Sequence, residues 1–179
     1  MQKKSFFYRS LFTFVLSLFI SFSAYSQSLK DVNFGSEYSL DVISWNLEWF
    51  PKNGQTTIDS LALVIKSLKP EVLALQEIND VSAFNSLLTQ LPQYVGNFSS
   101  FSNLKLAFIY KKSLTINNIF TISGNSTYNF AGRPPYCIEI EYDNNIYYVI
   151  NNHLKCCGDG ILQTSDSSDE EFRRFSAMN

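Results

Sequence analysis

The chain has 179 residues, with 14 basic and 16 acidic side chains and a net charge of −2. The absence of a basic block argues against a tight, sequence-blind grip on nucleic acid, which rests on Lys and Arg at phosphates. A single histidine, His153, excludes a multi-histidine zinc site within one chain, and Cys137, Cys156 and Cys157 form neither a zinc spacing nor a disulfide framework.

The first segment reads as an export signal. Lys3, Lys4 and Arg9 precede an apolar run from Leu11 to Ala24, and Ala24-Tyr25-Ser26 supplies small residues for cleavage before Gln27. A membrane anchor is the alternative, but it needs about 20 apolar residues, and this run is shorter and interrupted by serines. The expectation is a secreted or periplasmic protein with no membrane span after cleavage. Residues 1–26 hold three of the basic residues and no acid, so the remaining chain carries −5.

Residues 27–39 are polar and read as a lead-in. Leu40 to Trp45 alternates as a first strand with Asn46 at its end. Ile58, Leu61, Ala62, Ile65 and Leu68 recur at helical spacing, with Thr56 or Thr57 as cap and Pro70 as stop. Val72 to Glu77 is a short apolar run ending in Gln76-Glu77 and reads as a buried strand. Asp80 caps a second helix with the stripe Val81, Phe84, Leu87, Leu88 and Leu91. Strands are then expected at Tyr94–Phe98, Leu104–Tyr110 and Leu114–Ile122, and a polar loop over 123–132 leads to Arg133-Pro134-Pro135.

Tyr136 to Tyr142 and Ile146 to Asn152 flank Asp143-Asn144-Asn145, a hairpin signature because asparagine tolerates φ > 0. With Asn144-Asn145 as the loop, Tyr136 faces His153 and Cys137 faces Asn152, so His153 leaves its strand beside Arg133. Cys156 then lies roughly 13 Å further along, beyond the reach of a bridge to Cys137. Residues 156–168 form a polar loop, and Ser167 and Ser168 have capping-box spacing to Glu170 and Glu171, so a helix should begin at Asp169. Asp159, Asp166 and Asp169 read as a solvated loop and helix start, with a structural Ca²⁺ site as the alternative.

Taken singly, each polar residue has a plain reading. Glu77 can be a strand end meeting water, Asn46 a turn residue, Tyr110 packing, Arg133 a loop charge, His153 a structural histidine and Glu48 a surface charge. Their order is more specific. Ser44-Trp45-Asn46-Leu47, Leu75-Gln76-Glu77, Phe108-Ile109-Tyr110, Arg133-Pro134 and Asn152-His153-Leu154-Lys155 together resemble the endonuclease/exonuclease/phosphatase superfamily, the group of deoxyribonuclease I.

The resemblance implies an α+β fold, a four-layer α/β/β/α sandwich, over residues 40–179. It implies a metal-dependent phosphoesterase acting on phosphodiester or phosphomonoester bonds, monomeric when complete, with nucleic acid among the candidate substrates. Glu77 and Asn46 resemble the first metal-site residues, Glu77 being the direct ligand to Mg²⁺ or Mn²⁺. Tyr110 and Arg133 resemble the phosphate-holding residues, and His153 the catalytic histidine. The family's later Asp-x-Asn and Asp-His motifs are absent, so the domain is expected to be incomplete at its C-terminus and inactive as it stands. A non-catalytic binding domain of the same fold is the alternative.

Overall fold

A computed structural model describes residues 32, 34–36, 38–122 and 127–179. The expected export signal and most of the lead-in lie outside the described residues. Among the described residues there are seven strands and three helices: β1 (Val42–Phe50), α1 (Gln55–Leu68), β2 (Val72–Ile78), α2 (Val81–Thr89), β3 (Tyr94–Phe98), β4 (Lys105–Lys111), β5 (Thr115–Thr121), β6 (Tyr136–Tyr142), β7 (Asn145–Asn151) and α3 (Glu170–Met178). No helix among the described residues is long and apolar enough to cross a membrane.

The strands form a four-stranded sheet, β1-β2-β4-β3, and a three-stranded sheet, β5-β6-β7. β1 and β2 are parallel and joined through α1, because parallel neighbours need a long crossover. α1 buries Ile58, Leu61, Ala62 and Ile65, the stripe that the spacing predicts. It begins after Gly54, with no side-chain cap. Thr57 Oγ1, expected as a cap, instead accepts from the Asn53 N–H at 3.0 Å, ahead of the helix. Lys69 closes the helix in the left-handed conformation, its N–H bonded to Ile65 O at 2.8 Å, and Pro70 follows. α2 is capped as expected, by Asp80 Oδ1 accepting from Ser82 and Ala83 N–H at 2.7 and 3.1 Å.

Alternation along β2 and β4 divides two cores. Leu73, Leu75, Ala107 and Ile109 face α1 and α2. Val72, Ala74, Leu106 and Phe108 face Tyr136, Ile138 and Ile140 of the second sheet. Gly96 on β3 lies so close to α2 that a Cβ there would come within 2.8 Å of Phe84 and Leu88 side-chain atoms. Helices, first sheet and second sheet are thus three layers of the expected sandwich. On β7, Ile146, Tyr148 and Ile150 are exposed.

Three expectations are corrected. β1 does not end at Asn46 but continues to Phe50 through a bulge, with Glu48 and Trp49 at positive φ. The hairpin turns at Asp143-Asn144, whose φ values are 48° and 57°, not at Asn144-Asn145. Tyr136 therefore pairs with Asn151, and Cys137 with Ile150. The shift is two residues, so every side chain keeps its face. Asp169, rather than either serine, caps α3, accepting from Phe172 N–H at 2.7 Å.

Candidate active site

β2 carries Glu77 to the end of the first sheet. The strand is irregular there: pairing to β4 shifts between Leu75 and Ile78, and Glu77 has φ 64°. Such bulges re-aim a side chain. β1 bulges at the same level, and its Trp49 N–H donates to Glu77 Oε2 at 3.1 Å. Asn46, paired with Gln76, donates Nδ2 to Glu77 Oε1 at 3.0 Å, while its Oδ1 accepts from Glu48 N–H at 2.9 Å. Two donors from β1 thus hold the carboxylate. Glu48 itself pairs with Lys52 at the surface.

The second sheet brings its residues to the same end. His153 follows β7, and its Nε2 lies 3.5 Å from Glu77 Oε1. Arg133 precedes β6 and is within electrostatic reach of both. Burial, then the charge of Arg133, push the His153 pKa below its ordinary value, and Glu77 opposes the shift. The imidazole is therefore neutral at pH 7. Burial also lowers the Arg133 pKa, countered by Glu77; a guanidinium nonetheless keeps its charge. Arg133 Nε and His153 Nδ1 are buried without a hydrogen-bond partner. Buried polar atoms without a partner are rare in folded proteins, and Arg133 and His153 each carry one here.

Tyr110 is not brought to this group by the register. It pairs with Val72, five residues before Glu77, which is about 17 Å along a strand. Its side chain packs on the inter-sheet core, and burial raises its pKa. The cause is the antiparallel pairing of β2 with β4, which sets the end of one strand beside the start of the other.

Sequence reasoning missed the residues beneath the site. Asn151 on β7 is buried and bonded to Gln76, and the Trp49 N–H reaches Glu77 only because of the bulge. Arg173 of α3 stacks on Tyr128 at 3.9 Å and acts on Arg133 electrostatically. In the tail, Asp159 and Asp169 come together with Glu171, their ligand atoms within 4.8 Å of one another. Asp166 instead accepts from Ser168 N–H and Oγ at 2.8 and 2.7 Å.

The group fits a hard divalent cation with few protein ligands. Such an ion takes one or two carboxylates, with water and phosphate oxygens completing its shell. Glu77 Oε2 accepts one hydrogen bond and keeps a lone pair. Asn46 offers its amide nitrogen to Glu77, so it orients that carboxylate.

No family model matches the chain, and no curated protein matches it. Solved structures do. D. rerio TDP2 complexed with single-strand DNA product aligns at 18% identity and TM-score 0.58, over 68% of this chain and 48% of that one. Truncated Caenorhabditis elegans TDP2 aligns at 21% identity and TM-score 0.55, over 66% and 47%. An endonuclease/exonuclease/phosphatase family protein from Leptotrichia buccalis C-1013-b aligns at 17% identity and TM-score 0.55, over 78% and 62%. The chain has the endonuclease/exonuclease/phosphatase fold. It spans about half the length of the TDP2 structures it matches.

Proposed function

We propose that the protein to which this chain belongs is an exported, metal-dependent phosphoesterase of the endonuclease/exonuclease/phosphatase type. One observation carries the reading. A half-buried imidazole lies 3.5 Å from a carboxylate held by two donors at the end of the sheets, a half-buried guanidinium acts on both electrostatically, and imidazole and guanidinium each keep an unpartnered nitrogen. Each supports a distinct task. Arg133 offers a planar fork of donors to phosphate oxygens. His153, neutral at pH 7, accepts or passes a proton on the phosphate ester within hydrogen-bond reach. Glu77 is the residue that would hold Mg²⁺ or Mn²⁺, which supplies charge stabilisation at phosphoryl oxygens. Export rests on the signal-like residues 1–26. The single-strand DNA product in the TDP2 structure supports nucleic acid as one substrate class.

Hydrolysis of bis(p-nitrophenyl) phosphate by the full-length protein, with and without Mn²⁺, tests this. Removing a proton-transfer group costs about 10²- to 10⁴-fold, so His153→Ala should lower kcat by that factor. Glu77→Gln should remove the metal dependence. Turnover that survives both substitutions refutes the assignment.

A further inference from the structure

Cys156 and Cys157 play no part in the site chemistry above, and their geometry is specific. Neighbouring side chains on an extended strand point to opposite faces. Here Cys157 has φ 73°, and the two sulfurs lie on one side, 2.8 Å apart, with the Cys157 thiol donating to Cys156 Sγ. Both residues are exposed. The turn is pinned: Arg174 Nη1 donates to the carbonyls of Lys155 and Cys157, both at 2.8 Å. Glu171 Oε1 accepts from Arg174 Nη2 at 2.7 Å and from Gly160 N–H at 2.9 Å.

We propose that Cys156 and Cys157 are a redox pair that closes to a vicinal disulfide by exchange with a disulfide oxidant. The thiolate of Cys156 attacks the oxidant, forms a mixed disulfide and expels one thiolate. Cys157 then gives up its proton and attacks Cys156 Sγ, expelling the second thiolate. Two protein thiols are oxidised, and one disulfide is reduced to two thiols.

Adjacent Cα atoms are 3.8 Å apart across a trans peptide, below the usual 4.4–6.8 Å span of a disulfide. The closed ring is therefore strained and readily reduced, which is the behaviour of labile rather than structural bonds. Export, proposed above, would deliver the pair to an oxidising compartment. Its position gives it a consequence. The pair lies three residues after His153, and the Cys156 sulfur is within electrostatic reach of Arg133. Closure removes two ionisable thiols and fixes the turn beside that guanidinium. None of this depends on the phosphoesterase reading.

The test is equilibration of the chain in glutathione buffers of increasing oxidised fraction, followed by acid quench, intact mass and tryptic mapping. The expected result is a monomer that loses two hydrogen masses on the peptide starting at Cys156. The loss should reverse with excess reduced glutathione, and Cys137 should remain a thiol. Cys156→Ser and Cys157→Ser should each abolish the loss. Free thiols at every ratio, a stable glutathione adduct in place of the internal bond, or a disulfide-linked dimer would each overturn the proposal.

Discussion

Gln76 and Asn151 join the two sheets. Gln76 Nε2 on β2 donates to Asn151 Oδ1 on β7 at 2.6 Å, and both residues are buried. Asn151 Nδ2 donates in turn to Leu75 O at 2.9 Å and Ala107 O at 3.0 Å, carbonyls of two paired strands. Gln76 precedes Glu77, and Asn151 stands two residues before His153. The amide pair therefore sets the carboxylate and the imidazole at their 3.5 Å separation.

Asn151→Leu should cost stability out of proportion to its volume. It removes the donor to the Leu75 and Ala107 carbonyl oxygens, while Gln76 Nε2 keeps Ala74 O at 3.1 Å and Ser44 Oγ at 3.3 Å, and a buried group left unpaired costs about 1–3 kcal/mol. A loss of about 1–3 kcal/mol is expected in urea unfolding. Asn151→Asp should cost as much or more, because a carboxylate has no proton to offer two carbonyls. A loss indistinguishable from zero in both variants would show that the bridge does not matter.

The proposed metal site can be read without turnover. His153 lies against Glu77, so Mn²⁺ held by that carboxylate should broaden the His153 ring resonances. Glu77→Gln should remove the broadening. Asn46→Ala removes a group that orients the Glu77 carboxylate, and losing such a partner of a metal ligand typically costs 10- to 100-fold in metal affinity. Equal broadening in all three proteins would place the ion elsewhere.

His153 is the chain's one histidine, so its titration is a single curve. The midpoint should fall below the ordinary value of about 6.5, because burial and Arg133 disfavour the cation. Arg133→Gln should raise it, and Glu77→Gln should lower it further. A depressed pKa means that the unfolded chain binds the proton more tightly. The His153 contribution to stability is then full above about pH 6.5 and is lost as pH falls through the folded pKa. A midpoint above 6.5 would contradict the burial of the ring.

Tyr110→Phe should leave phosphate-ester turnover unchanged in the full-length protein, because Tyr110 pairs with Val72 and not with the residues at Glu77. Its phenol should titrate above 10. A large fall in kcat in this variant would restore Tyr110 to the phosphate site.

The sequence by itself determined what depends on near neighbours. The Asp80 cap, the α1 stripe and β2 as a buried strand were legible because each is fixed by spacing within a few residues. The order of Asn46, Glu77, Arg133 and His153 also sufficed to point to one fold. Only the tertiary structure decided register and reach. Asp143, Asn144 and Asn145 all suit a positive-φ turn, and a two-residue slip keeps every face, so local pattern could not choose between registers. The bonds of Asn151 on β7 to Gln76, Leu75 and Ala107 of the first sheet distinguish them, since a slip moves each β7 partner about 7 Å. Tyr110 was misplaced for the same reason: its motif gives an order along the chain, while an antiparallel partner decides at which end of the sheet it stands. The Gln76–Asn151 bond and the Trp49 N–H at Glu77 left no signal in the sequence. One spans 75 residues and the other needs a bulge, and contacts of that kind exist only once two sheets and two irregular strands are packed together.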